Sequence, residues 1–239
     1  MQMLLGFGAV EDMEWVRDRL RARFGQPGPI PVRKPVDQLV KSLISGRTRD
    51  EVSFRAFRRL VDAYPDWSDV VLAPAPRIEA IIRDVTFPER KARQLGGALA
   101  AIAASRPDFD LMFLGSLGVP AALRWLERLP GVGRKVAAST LNFSTLRMPA
   151  FVVDTHVLRI LGEFGFVRSS AGTRTAYDRT MEMLPGWSAA DLADFHVLMK
   201  KLGQNICVAG SPDCPRCPIV KRCKASAAGL RLPPDGIAR

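Results

Sequence analysis

The sequence predicts an all-α protein, and three observations carry that reading. Apolar residues recur at helical spacing through most of the chain, the connectors between these runs are rich in Pro and Gly, and no stretch shows a convincing strand alternation. With 47% hydrophobic side chains among 239 residues, the chain can fill one sizeable core or two small helical ones.

The elements follow in order. Met13, Val16, Leu20 and Phe24 share one face of a first helix, which GQPGPIPVRKP then breaks. Helical patterns resume at PVDQLVKSLIS, RDEVSFRAFRRLVDAY, PRIEAIIRDV, PERKARQLGGALAAIAAS, PAALRWLERL and RKVAASTLNFS. A short extended FVV leads to Asp154, whose carboxylate suits the N-cap of THVLRILGEF. Another helix follows Gly172. Ser188 with Asp191 reads as a capping box opening a last long helix, on which Leu192, Phe195, Met199 and Leu202 share a face. The total is roughly ten helices, then a cysteine loop and a tail containing Gly and Pro.

Charge narrows the partner. Lys and Arg outnumber Asp and Glu by 35 to 24, a formal net charge of +11, so a polyanion is expected, nucleic acid ahead of an anionic membrane surface. No apolar run approaches the ~20 residues of a membrane span, and MQMLLGFGAVED carries no basic leader. The expected location is therefore the cytoplasm. All four cysteines fall between Cys207 and Cys223, a clustering that points to a metal centre rather than to scattered disulfides. Tetrahedral zinc is one occupant of such a loop. Zinc loops usually carry two C-x2-C knuckles, and here only Cys214 and Cys217 form one, which leaves an iron-sulfur cluster as the other reading.

The stretch LERLPGVGRKVAAS reads as a helix stopped by Pro130, a hairpin eased by Gly131 and Gly133, and a second helix opening at Arg134. The unpaired amides of that second helix make a site of phosphate size. A plain helix-helix turn would contain similar glycines. Lys135 separates the two readings, because a lysine in the first turn opposes the macrodipole and a purely structural account gives no reason for it. A nucleophilic amine must be neutral, whereas an ordinary lysine, pKa about 10.4, is neutral only to about 0.04% at pH 7. Asp154, about twenty residues on, is either a simple N-cap or the carboxylate partner of this amine.

LPGVGRKVA followed by VVDTH resembles the helix-hairpin-helix DNA glycosylases, and the lysine-bearing form is similar to endonuclease III. The spacing Cys207-x6-Cys214-x2-Cys217-x5-Cys223 matches the C-terminal 4Fe-4S loop of that family. The resemblance implies a six-helix lobe over residues 35–149, with the helix-hairpin-helix at about 119–146. It implies a second lobe from residues 1–34 and 150–239, and a DNA cleft between the two. It further implies that Gly131, Gly133 and Arg134 grip a phosphate of double-stranded DNA bearing a damaged base or abasic site. Lys135 would then attack the sugar C1′, and Asp154 would stabilise the developing positive charge. The enzyme implied is a bifunctional glycosylase and AP lyase for oxidised pyrimidines, monomeric and associated with a bacterial or archaeal nucleoid.

Three departures from the family pattern stand out. The loop VAGSPD between the first two cysteines carries no basic side chain. Where the family usually places a glutamine and an aliphatic wedge to fill the gap left by an extruded base, this chain has Arg47 and Phe87. Phe87 is alternatively a core aromatic and Arg47 a surface charge. His156 is placed either to meet a phosphate or to serve structure, and His196 reads as structural. Two rival functions remain at this point: a mismatch-directed glycosylase on the same scaffold, which typically lacks the lysine, and a non-catalytic DNA-binding module.

Overall fold

The computed structural model describes residues 8–227. Among these residues there are twelve α-helices and no strand; an isolated bridge joins Arg33 to Ser144. The chain divides into two compact units, Ile30–Ala150 and the pairing of Met1–Pro29 with Phe151–Arg239.

In the second of these, α1 (Gly8–Phe24) opens the chain. Its Met13, Val16 and Leu20 are fully buried, at the spacing that places them on one stripe. The other unit follows, with α2 (Pro35–Ser45), α3 (Asp50–Ala63), α4 (Trp67–Leu72), α5 (Ala75–Ile81), α6 (Pro88–Ala103), α7 (Val119–Leu126) and α8 (Arg134–Phe143). Here α2 is the central element: it packs against α3, α6 and α8 and buries Val36, Leu39, Val40, Leu43 and Ile44. The Gly96-Gly97 pair inside α6, each costing about 1 kcal/mol of helix propensity relative to Ala, has a packing reason at Gly97. A Cβ there would stand 3.4 Å from Pro130, so α6 runs close beneath the hairpin.

The chain then returns to the unit of α1 through α9 (Thr155–Phe164), α10 (Thr173–Glu182), α11 (Ala189–Asn205) and α12 (Lys224–Ala227). The expected Ser188–Asp191 capping box is present in both directions. Phe195 of α11 joins stacked contact with Phe151 (5.6 Å) to edge contact with Trp187 (5.3 Å), and α1 packs along the same helix. The helix α4 was not expected from periodicity, because six residues are too short to show it. Its signals are local: Asp66 accepts the Ser68 amide at 2.8 Å, and the buried Trp67 donates its indole N–H to Asp37 at 2.8 Å.

Candidate active site and cysteine loop

The hairpin between α7 and α8 is pinned from below by Leu129 and Val132, both buried. Gly131 adopts φ +74, and a Cβ there would sit 2.7 Å from Gln94, so both backbone and space demand glycine. Gly133 differs from the sequence expectation. It is the N-cap of α8 at φ −94, an ordinary conformation, and a Cβ would meet nothing within 4 Å. Neither the turn nor its neighbours require glycine there. The missing side chain instead leaves the first amides of α8, which have no intrahelical acceptor, open to a ligand.

Arg134 donates from Nε to Glu127 at 2.7 Å, with only 9% and 8% of the two side chains exposed. Its guanidinium therefore ties α8 back to the end of α7. Lys135 is half-buried; its Nζ donates to Ser45 Oγ at 2.9 Å and to the Ser42 carbonyl at 3.4 Å, at the C-terminal end of α2. Ser42 belongs to a buried polar seam between α2 and α8. Gln38 Nε2 donates to Ser42 Oγ (2.9 Å) and Ser139 Oγ (3.2 Å), and the two hydroxyls lie 2.8 Å apart. Sequence reading missed this seam, because polar residues interrupting an apolar helix face look like lapses in amphipathicity until two helices bring them together.

In the same unit, Arg47 and Phe87 both adopt the left-handed conformation, φ +54 and +58, which is uncommon for bulky side chains. Both are exposed; Phe87 shows 48% of its surface, with the Arg90 guanidinium 4.7 Å above its ring. The alternative of a core aromatic is thus removed.

Asp154 lies in the other unit as the N-cap of α9. Its Oδ1 accepts the His156 and Val157 amides, each at 2.9 Å. Burial pushes this carboxyl up, but His196, the Val157 amide, Lys200 and His156 together outweigh it and hold Asp154 below the usual carboxylate range. It is an ionised carboxylate at neutral pH, and both capping bonds use only one of its oxygens. His156 packs against α11, where a Cβ on Gly203 would fall 2.7 Å from its own, and its Nδ1 is shielded without a partner. A contact from this ring to a ligand is left to Nε2. His196 is buried with Nδ1 2.7 Å from the Val152 carbonyl, consistent with its structural reading.

Within this unit the cysteine loop folds against α9 and α11. Arg159 donates to the Gly203 carbonyl at 2.8 Å and also to that of Cys207. Cys207, Cys214, Cys217 and Cys223 all line one cavity, walled by apolar groups including Ile160, Leu202 and Ile206. Burial raises the thiols of Cys207, Cys214 and Cys217, the last to about 11, and repulsion among neighbouring cysteines adds to it. Burial at these three positions disfavours the thiolate until a cationic group enters the cavity. Among the described residues no three His, Cys, Asp or Glu converge on one ion. Four cysteines on one cavity are a donor set that fits a thiolate-held metal centre. The loop also touches α1: Arg222 pairs with Asp12 at 2.7 Å and stacks on Trp15 at 4.6 Å.

Comparison with known proteins gives these features a family. Residues 40–185 match the HhH-GPD superfamily base excision DNA repair protein family. The chain is 30% identical over 193 residues to endonuclease III of Thermotoga maritima, covering 80% of this chain and 83% of that one. It is 28% identical over 194 residues to endonuclease III of Synechocystis, covering 81% and 83%. Its fold superposes on a trapped endonuclease III-DNA covalent intermediate with TM-score 0.76 at 25% identity, over 93% of this chain and 99% of the other. A thermostable thymine-DNA glycosylase shares the fold at 17% identity and TM-score 0.72, over 91% and 98%. No described helix is long and apolar enough to cross a membrane. The chain belongs to the HhH-GPD superfamily of base excision DNA repair proteins, as an endonuclease III-like DNA glycosylase.

Proposed function

We propose that this glycosylase is bifunctional: it removes oxidised pyrimidines from double-stranded DNA, cleaves the resulting abasic strand as a lyase, and works as a monomer. The observation that carries the proposal is Lys135. It stands in the first turn of α8, and its amine is anchored by Ser45 and Ser42 rather than extended into solvent.

In this scheme Lys135 Nζ forms a bond to C1′ as the base departs with the glycosidic electron pair, and Asp154 stabilises the positive charge that develops on the sugar. Loss of a proton from nitrogen and opening of the ring give a Schiff base. Removal of a C2′ proton then expels the 3′ phosphate, breaking the strand. Glycines 131 and 133 with the first amides of α8 hold a backbone phosphate, while Arg47 and Phe87 fill the space of the extruded base and His156 adds a phosphate contact through Nε2. Cys207, Cys214, Cys217 and Cys223 would hold a 4Fe-4S cluster, which when bound supplies the positive centre their thiolates need and cross-links the loop. Zinc is the competing occupant, and a yellow-brown protein with four iron and four sulfide per chain separates the two.

Borohydride trapping on an abasic or thymine-glycol duplex tests the reading. Wild type should form a covalent adduct, Lys135→Ala none, and Asp154→Asn should lose about a hundredfold or more in turnover while still binding DNA. An adduct that survives in Lys135→Ala overturns the assignment.

A further inference from the structure

Lys91 takes no part in the scheme above, yet it is 4% exposed, and burying a cation this far is costly without compensation. It stands in the first turn of α6, which opens immediately after Phe87. Its Nζ donates to the Ile44 carbonyl at 2.8 Å, the Gly46 carbonyl at 2.7 Å and Thr48 Oγ1 at 3.0 Å, so all three ammonium protons are used.

Two of these acceptors lie at the C-terminal end of α2, where the last carbonyls have no intrahelical donor, and α2 has no basic residue of its own in its last turn. The third acceptor continues the path. Thr48 Oγ1 also accepts the Thr86 amide at 3.0 Å, and Thr86 Oγ1 donates back to the Arg47 carbonyl at 2.8 Å. One ammonium and two threonines therefore close a ring of hydrogen bonds around Arg47 and Phe87, both exposed and both held in the left-handed conformation. Each such residue costs of order 1 kcal/mol and persists only where its surroundings fix it.

We propose that Lys91 is a positioning residue which locks the Arg47 and Phe87 loops into one rigid unit, and so sets how strongly the protein prefers a duplex with a vacant base position over an intact one. This rests on the reading that Arg47 and Phe87 fill the vacated space. A simple cap for α2 would need only the two carbonyl bonds; the bond to Thr48 is what couples the loops.

The test measures binding of the full chain to a duplex carrying a tetrahydrofuran abasic analogue and to the undamaged duplex of the same sequence. The ratio of the two affinities is compared among wild type, Lys91→Met, Thr48→Val and the pair Arg47→Ala with Phe87→Ala. Lys91→Met should lower the ratio about tenfold with undamaged binding nearly unchanged, and should add little to the paired variant, because linked sites are not additive. Thr48→Val removes only the coupling hydroxyl, should act in the same direction, and carries the test if Lys91→Met does not fold. If Lys91→Met melts earlier but keeps the wild-type ratio while the paired variant lowers it, Lys91 is only a helix cap and the inference is overturned. If the paired variant itself keeps the wild-type ratio, the gap-filling reading falls and takes the inference with it.

Discussion

Single positions in the hairpin make separable predictions. Gly131→Ala meets both a left-handed backbone and the Gln94 side chain, so it should destabilise the protein by about 1–3 kcal/mol in thermal or urea unfolding. Gly133→Ala meets neither obstacle and should leave stability within about 0.5 kcal/mol, while weakening DNA binding by intruding on the phosphate opening. Equal loss of stability in both variants would show that Gly133 serves the turn and not a ligand. The sequence showed two equivalent glycines; only their dihedral angles and neighbours distinguish them. Lys91 illustrates the same limit, since it falls in the charged run Pro88–Arg93 of a helical pattern, and its burial shows only when α6 is seen against the end of α2. Burial first, then the charges of Lys135 from α8, Arg90 beside it and Lys41 from α2, lower its pKa from 10.5 to about 8. Above that value the folded state binds fewer protons here than the unfolded chain. Stability should therefore rise from about pH 8 to about pH 10 in wild type relative to Lys91→Met, and be flat between them below pH 8. A difference that does not change with pH would contradict this.

At the scale of elements, capping and function meet at the start of α9. Asp154 caps that helix whether or not it serves chemistry, so the two alternatives left open by the sequence are compatible in the folded protein. They can be pulled apart by substitution. Asparagine keeps the oxygen that accepts the His156 and Val157 amides, so Asp154→Asn should hold thermal stability within about 0.5 kcal/mol at neutral pH. Asp154→Ala should cost about 1 kcal/mol or more. Because this carboxyl is held below its ordinary pKa, wild-type stability should fall as the solution is acidified through the carboxylate range, and Asp154→Asn should lack that part of the pH dependence. Loss of turnover in both variants with loss of stability in only one would assign the catalytic defect to the charge. Helices as long as α3, α6 and α11 were legible because each repeats its apolar stripe several times. The six-residue α4 was not, and the seam of Gln38, Ser42 and Ser139 was invisible because its members come from α2 and α8, which are distant in sequence.

For the whole molecule, the net charge of +11 must be weighed against where the cations are used. Several are committed internally: Arg134 to Glu127, Arg59 to Asp84, Arg222 to Asp12, and Lys91 to the end of α2. The three arginines pair with carboxylates that the net charge already subtracts, so of these four only Lys91, held by neutral acceptors, is a cation withdrawn from DNA, and the loop VAGSPD contributes none, its Asp213 pairing with Arg216 at 3.2 Å. If about 4–6 phosphates are neutralised, affinity for undamaged duplex should fall by about 10²–10³ between 50 and 200 mM salt. Reversing Asp213, as Asp213→Lys, would free Arg216 and add a cation in one step. It should steepen the salt dependence by about one to two phosphates if this loop lies along the DNA, measured as the slope of log affinity against log salt. An unchanged slope would mean that backbone contact in this protein comes from the hairpin and the Arg47 and Phe87 loops, with the cysteine loop serving the architecture of its own unit.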